Sequence, residues 1–268
     1  MSFNPDRINI HELTIEGPEK QAELPFDVER DITKEDWEKL RDGLEKNRQE
    51  SNWYGYSSRA MQMKILDPSQ VLNLDQHVWN GMKETLEVHR RNREWYGYST
   101  RAMQMKILDP KRDLNIDRAA WQGMTDTLEG YRKTNMWDDF SQLAMDIKIL
   151  DPKQDLGLDP VAWKAMVATL ETSKVGGHLD AWRAMELKII DPNQDLNINA
   201  SVWREMKDRL EEFRREDSAY DFSWQAMAMK ILVAEEVKVT ENGLELTMPE
   251  KKGSFNADIP PIPEIKKF

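Results

Sequence analysis

The chain has 268 residues, of which 32% are charged and 39% hydrophobic, and its formal net charge is −11. This acidity argues against a nucleic-acid binder, which needs Lys and Arg for the phosphates, and against an anionic membrane surface. The absence of Cys excludes disulfides, thiolate nucleophiles and zinc–thiolate sites. The chain starts without the pattern of a secretory signal, and no stretch approaches the roughly 18 apolar residues of a membrane span. We therefore expect a soluble, cytoplasmic protein.

An acidic, irregular arm is predicted over residues 1–31, either as an ordered segment on the rest of the protein or as a disordered leader. Thr33 then provides the N-cap of a helix over residues 34–49, with Ile32 before the cap and Trp37 at the fourth helical position. This helix has no helical partner before it in the sequence. We interpret it as half a repeat, because the terminal units of repeat arrays are often atypical.

A short phrase, Lys-Ile-Leu-Asp-Pro, recurs along the chain. It starts at Lys64, Lys106 and Lys148, returns as Lys-Ile-Ile-Asp-Pro at Lys188, and loses its Asp-Pro at Lys230. The intervals of 42, 42, 40 and 42 residues predict a repeat array. Each phrase closes an apolar stretch that predicts a largely buried helix, over about 52–66, 94–108, 136–150, 178–190 and 219–233. The Asp-Pro predicts the helix end, because Pro cannot continue a helix.

A second type of helix follows each phrase, over about 76–92, 118–134, 160–175 and 200–216. Its predicted N-caps are Asp75, Asp117, Asp159 and Asn199. A Trp four residues after each cap and an apolar residue before the cap indicate a hydrophobic staple, so we interpret these Trp as packing residues. Each Trp is followed by Glu at +8 and a base at +11, which predicts a surface ion pair.

A β-hairpin is predicted over residues 234–248, because Val237–Thr240 and Leu244–Met248 alternate around an Asn-Gly turn. We expect it to cap the last helix. The tail over residues 249–268 is rich in Pro, which favours an extended polyproline conformation. The sequence leaves open whether this tail binds its own array or another protein.

Units of about 42 residues with two helices, a Pro after the first helix and recurring Asp and basic positions resemble HEAT-like α-solenoids. Repeats of about 34 or about 33 residues, as in tetratricopeptide and ankyrin arrays, do not fit this length. We expect an all-α fold: an α-solenoid of about five two-helix repeats over residues 32–233, with a small C-terminal β-hairpin and extended tails. The resemblance implies a curved rod whose concave face binds protein partners.

An aromatic cluster occurs twice, as Trp53-Tyr54-Gly55-Tyr56-Ser57 and again from Trp95 to Ser99. Trp, Tyr and Arg are enriched in interface hot spots, so each copy is a candidate platform for a partner's apolar or extended segment. The candidate partner-binding residues are Trp53, Tyr54, Tyr56, Arg59, Trp95, Tyr96, Tyr98 and Arg101. The alternative is that recent duplication left two copies whose aromatic residues pack between stacked helices.

Nothing in the sequence identifies a reaction. His11, His77, His89 and His178 show no metal-ligand spacing, and phosphate-loop, nucleophile-elbow and zinc-helix motifs are absent. We expect no catalytic, cofactor or metal site. The leading hypothesis is a non-enzymatic helical-repeat scaffold or adaptor that binds protein or peptide partners. The alternatives are a structural subunit of a larger homo- or hetero-assembly, with self-association through the tails, and an enzyme or ligand-binding protein with its site in the concave groove.

Overall fold

The computed structural model describes residues 25–175 and 181–249, which belong to one compact unit made of helices and one β-hairpin. In chain order the elements are α1 (Val28–Asp31), α2 (Lys34–Gln49), α3 (Trp53–Leu66), α4 (Gln76–Asn92), α5 (Trp95–Leu108), α6 (Arg118–Lys133), α7 (Trp137–Leu150), α8 (Pro160–Val175), α9 (Ala181–Ile190), α10 (Ala200–Arg215), α11 (Ala219–Val233), β1 (Glu236–Thr240) and β2 (Gly243–Thr247). The predicted all-α repeat with a C-terminal hairpin is confirmed. The predicted start of α9 at residue 178, most of the arm and nearly all of the tail lie outside the described residues.

The second type of helix comprises α2, α4, α6, α8 and α10, here called the outer helices because the first type of helix forms a central ring. They start at the residues that their predicted N-caps indicate. Thr33 forms a capping box with Asp36, and the side chains of Asp75, Asp117, Asp159 and Asn199 accept hydrogen bonds from first-turn N–H groups. A base near the end of one outer helix then donates to the cap carboxylate of the next: Arg48 to Asp75, Arg90 to Asp117, and Arg132 to Asp159. These three caps therefore also link neighbouring repeats.

The inner helices α3, α5, α7 and α9 end at the recurring phrase, as predicted. In each copy the Lys Nζ donates to the carbonyl of the Pro four residues later, at 2.6 Å for Lys64 and 2.8 Å for Lys106. The Asp between them accepts a hydrogen bond from the backbone N–H two residues on, at 2.9 Å for Asp67. The charge of the Lys thus lies at the negative end of the helix dipole, and the Asp forms the turn.

The inner helices form a closed ring. α3 contacts α5, α5 contacts α7, α7 contacts α9, α9 contacts α11, and α11 contacts α3 again. The expected curved rod with an open concave face is therefore wrong for the part of the chain that is described, although the helical repeat itself is confirmed. The reason is that the last inner helix finds its missing neighbour in the first one, which leaves no unpaired end.

The first outer helix, α2, lies between α11 and α3. The half repeat expected at the start of the sequence is completed in space, since α11, from the other end of the array, takes the place of the missing inner helix. Arg214 at the end of α10 donates to Asp36 of α2 at 2.7 Å, which repeats the ladder of the other outer helices. Lys230, whose phrase lacks the Asp-Pro, donates instead to the carbonyl of Leu66 at 2.8 Å. Both contacts stabilise the closure.

The axis of the ring is filled by two layers of side chains, one of Met and one of Ile. They are Met61, Met103, Met145, Met185 and Met227, and Ile65, Ile107, Ile149, Ile189 and Ile231. Leu244 of β2 also lines this space. The void that remains is about 10 Å³, so it holds no more than one water molecule. The ring is a packed core and not a pore.

The β-hairpin packs against the ends of the inner helices at which their repeated phrases lie. β1 contacts α7 and α9, β2 contacts α5 and α7, and the strands pair antiparallel from Glu236 with Thr247 to Thr240 with Gly243. Glu241 and Asn242 form the loop, and Gly243 has a φ of 96°. A Cβ at Gly243 would lie 3.8 Å from the Lys106 carbonyl oxygen, so the hairpin closes this end of the ring at short range.

Candidate partner-binding face

The other end of the ring, where α3, α5, α7, α9 and α11 begin, is here called the N-terminal face. Tyr54, Tyr96 and Tyr220 occupy the same repeat position, ten residues before the Lys of their phrases, and are 53%, 37% and 38% exposed. The predicted candidates Tyr54 and Tyr96 are therefore at the surface. Sequence reasoning missed Tyr220, because the residues around it differ from the duplicated cluster. The 42-residue register was the signal that could have found it.

The two Trp of the duplicated cluster pack inside their repeats. Trp53 lies against Gly81 of α4 and makes an edge contact with His77, whose ring centroid is 5.1 Å away. Trp95 lies against Gly123 of α6 in the same way. Both Trp are half-buried, so their surface toward a partner is small.

Tyr56 and Tyr98 are buried, at 2% and 1% exposure. The Tyr56 hydroxyl donates to the Leu72 carbonyl at 2.6 Å, and burial raises the pKa of Tyr56 to about 12. Burial likewise raises the pKa of Tyr98 to about 12. These hydroxyls therefore stay protonated at neutral pH. In this structure the two residues fill space between helices, as the packing alternative proposed.

We expect Gly123→Ala to destabilise the protein by about 1–3 kcal/mol, because overpacking a rigid site forces side chains off their rotamers. The added Cβ would lie 2.2 Å from the Trp95 ring. Gly130→Ala in the same helix is the matched control, because nothing lies within 4 Å of its added Cβ. That variant is expected to gain about 0.5–1 kcal/mol from helix propensity. Urea unfolding of both variants checks this, and equal effects would contradict the packing of Trp95.

A belt of hydrogen bonds joins the inner helices just below the N-terminal face. We call it the polar belt, and its donor–acceptor pairs are Ser57 with Gln104, Ser99 with Asp146, Ser141 with Glu186, and Ser223 with Gln62. The Ser57–Gln104 and Ser99–Asp146 distances are 2.8 and 2.9 Å. At the α9–α11 junction both positions are buried Ala, Ala181 and Ala228. Each junction therefore has two polar partners or none, as buried polar groups require.

Arg101 crosses the belt from α5 to α3 and is 1% exposed. Its Nη1 donates to the Tyr54 carbonyl at 3.1 Å, to Ser57 Oγ at 2.7 Å and to Gln104 Oε1. Its Cζ lies 3.4 Å from the centroid of the Tyr54 ring, in a cation–π contact. Burial lowers the pKa of Arg101 to about 10, so the guanidinium remains charged at pH 7. The predicted candidate Arg101 therefore lies directly beneath Tyr54.

Arg59, the equivalent residue in α3, follows a different path. Its guanidinium lies against Gly43 of α2, where a Cβ would nearly coincide with Nη1. Burial lowers the pKa of Arg59. The structure therefore does not bring the two candidate Arg residues into equivalent sites, although their sequence contexts are almost identical.

Asp146 is the belt member that lacks an Arg in its own repeat. Arg101 and Arg183 precede their belt residues by three positions, and Leu143 takes that position before Asp146. Asp146 is completely buried and accepts hydrogen bonds from Ser99 and Thr100 at 2.9 and 2.8 Å. Burial raises its pKa to about 7, because these bonds offset only part of the desolvation. A polar residue inside an apolar helical stretch was the sequence signal for it.

Two other classes of site do not occur in the described part of the chain. It contains no group of three or more His, Asp or Glu side chains arranged to hold a metal ion, and no helix in it is long and apolar enough to cross a membrane. The N-terminal face and its polar belt thus remain the most distinctive surface. Compared with protein-family models, with characterised proteins and with solved structures, the chain gives no match.

Proposed function

We propose that this chain is a non-enzymatic scaffold that binds an extended segment of a protein partner on its N-terminal face. The observation that carries the proposal is the exposure of Tyr54, Tyr96 and Tyr220 at one repeat position on one end of a packed ring. Tyr supplies a large contact area at low conformational cost, because its side chain has two rotatable bonds. The three side chains lie on the consecutive helices α11, α3 and α5, so they suit a partner segment that runs along this side of the face.

Each of the three tyrosine rings contacts a neighbouring side chain. Arg101 stacks under Tyr54, Tyr131 of α6 meets Tyr96 edge-on at 6.3 Å between centroids, and Trp224 meets Tyr220 at 6.1 Å. Tyr96 and Tyr220 are thus ordered before binding, and side chains that are ordered before binding lose less entropy when a partner arrives. This support favours a binding surface over scattered apolar exposure.

The axis gives little support to an enzyme or ligand-binding protein with its site in a concave groove. Met and Ile side chains fill the axis, and about 10 Å³ remains. Small-molecule pockets are usually hundreds of Å³ in volume. A structural subunit of an assembly is compatible with an exposed face, and the experiment below separates a homo-assembly from a scaffold.

The test is site-specific photo-crosslinking in the native source. A photoreactive phenylalanine replaces Tyr54 in one variant and Val71 in the other, and Val71 is 84% exposed in the loop after α3, at the opposite end of the ring. We expect one discrete adduct from position 54 and none from position 71. The adduct is expected to weaken at least tenfold when Tyr96→Ala and Tyr220→Ala are added.

The outcomes separate the alternatives by mass. An adduct of twice the mass of the chain would support the structural-assembly alternative and contradict the scaffold. No adduct from position 54, or the same adduct from position 71, would also contradict the proposed face. Circular dichroism of each variant checks that the ring is still folded.

A further inference from the structure

One edge of the buried Arg101 guanidinium has no hydrogen-bond partner. Nη1 makes three hydrogen bonds, whereas Nε and Nη2 make none to any residue that the structure describes. Nε–H and the adjacent Nη2–H point in the same direction. This is the edge with which Arg holds a carboxylate through two parallel hydrogen bonds.

Arg183, the equivalent residue in α9, shows what Arg101 lacks. Its Nη1 donates to the Asp138 carbonyl, to Ser141 Oγ at 3.3 Å and to Glu186 Oε2 at 3.3 Å. Arg101 makes the same three types of contact with α3 and its own helix, but the third acceptor is the neutral Gln104. The repeat that contains Arg101 thus keeps the cation and omits the carboxylate.

Asp146 does not replace that carboxylate. Its carboxyl lies close enough to act in the direction of a higher pKa for Arg101. The hydrogen bonds that it accepts, however, come from Ser99, Thr100 and Gln142. A buried cation without a paired, hydrogen-bonded anion is costly. One more negatively charged group beside Arg101 would therefore be stabilised by this cation.

Tyr54 covers this guanidinium. Its ring lies over Arg101 at 3.4 Å from Cζ to centroid, and the side chain is 53% exposed. Exposed side chains change rotamer in picoseconds to nanoseconds, so Tyr54 can swing outward without unfolding α3. That movement would expose the guanidinium at the N-terminal face.

We propose that Arg101, beneath Tyr54, binds one carboxylate of the protein segment that occupies the N-terminal face. The carboxylate accepts two hydrogen bonds, from Nε and Nη2, and supplies the negative charge that Gln104 does not. The inference rests on the proposed function, since it names the anchor of that partner. A dianionic phosphate fits less well, because one guanidinium faces it while Asp146 and Glu186 lie in the same belt.

Arginine-detected NMR tests the site directly, with the full chain and sodium acetate as the probe. Acetate replaces sodium chloride at constant ionic strength, and the Arg101 Nε–Hε signal is assigned through bonds from its backbone amide. We expect a saturable shift of this signal, with at least tenfold tighter binding in Tyr54→Ala, where the cover is removed. In Gln104→Glu, which copies the Arg183–Glu186 pair, acetate is expected to bind at least tenfold more weakly.

The results that overturn the site are distinct from those that overturn the function. A linear shift, or an equal response of Arg183, would mean that acetate acts as a bulk salt and that the site is wrong. A photoreactive phenylalanine is then placed at position 96, which keeps Tyr54 over Arg101, and its crosslink is measured in Gln104→Glu. If the crosslink persists at full strength while acetate fails to bind, the result supports the binding face and contradicts the carboxylate site at Arg101. If acetate binds but no crosslink forms in any variant, the anchor site stands and the protein partner falls.

Discussion

Asp146→Asn is expected to make the protein more stable at pH 8, by up to about 4 kcal/mol, and to make almost no difference near pH 4. The carboxyl of Asp146 has a pKa of about 7 in the folded protein, raised by burial from an ordinary value near 3.8. Between these two values the folded state binds more protons than the unfolded state. Its stability therefore falls as the pH rises from about 4 to 7, and Asn removes that loss.

The measurement is urea unfolding of both proteins at several pH values between 4.5 and 8. Asp126→Asn, at an exposed position of α6, controls for the loss of one negative charge. The difference between Asp146→Asn and the parent protein should grow with pH, while that control shows no such trend. Parallel curves for the parent and Asp146→Asn would contradict the buried, protonatable carboxyl.

Arg214→Ala is expected to cost about 3 kcal/mol, because it leaves the carboxylate of Asp36 buried without its cation. Asp36 is 4% exposed and accepts hydrogen bonds from Arg214 at 2.7 and 3.0 Å. Arg214 also donates to the Asp31 carbonyl at 2.9 Å. These contacts join the two ends of the array, so their loss weakens the closure of the ring.

Arg132→Ala is the matched control for that prediction. Arg132 makes the corresponding ion pair with Asp159 inside the array, where the side chains are 34% and 42% exposed. Exposed pairs contribute about 0–1 kcal/mol, so this variant should lose little. Urea unfolding at pH 7 compares the two variants. Equal losses of stability would mean that the Arg214–Asp36 pair contributes no more than an exposed ion pair.

The pH dependence of stability provides a second test of the Arg214–Asp36 pair. Burial raises the pKa of Asp36, but hydrogen bonds from Arg214 and Thr33 outweigh it and leave the pKa below its ordinary value. A carboxyl with a lowered pKa stabilises the fold above its unfolded pKa, and this stabilisation is lost as the pH falls through the lowered value. The cost of Arg214→Ala should therefore shrink in acid. The effect has the opposite sign to that at Asp146, because the Asp36 carboxylate adds stability as the pH rises whereas the Asp146 carboxyl loses it.

Local structure could be predicted because it depends on residues near one another in the sequence. Asp75 caps α4, Lys64 and Asp67 end α3, and Val237–Thr240 pairs with the strand after Asn242. Each of these features depends on the preferences of a few adjacent residues for a turn, a cap or a strand. The helix bounds follow from them, since caps and Pro residues fix where a helix begins and ends.

Closure could not be predicted from such signals, because it depends on the rotation between successive repeats. This rotation decides whether five units make a rod or a ring, and no single residue encodes it. The sequence nevertheless carried two clues. One was an outer helix without a partner at the start and an inner helix without one at the end. The other was Ser223 on the last inner helix and Gln62 on the first, which would have no polar partner on a neighbouring inner helix in an open array.

The candidate site was predicted in part. The duplicated cluster led to Tyr54 and Tyr96 at the surface and to Arg101 beneath Tyr54, but Tyr56 and Tyr98 belong to the packing. Residues of one aromatic run alternate between surface and core because a helix turns by about 100° per residue. The role of Gln104 and Asp146 became visible only when the ring brought neighbouring helices together.

A closed ring ties the number of its units to the width of its centre. In an open array a unit can be gained or lost at little cost, because each unit touches only its neighbours. Here five Met and five Ile side chains meet around one axis and leave about 10 Å³. A sixth unit would separate the inner helices and flood the centre with water, and a fourfold ring would crowd the same side chains. This fold therefore cannot readily evolve by gaining or losing whole units. Its repeats differ instead by substitutions inside units, such as Leu143 at the position that Arg occupies in other repeats.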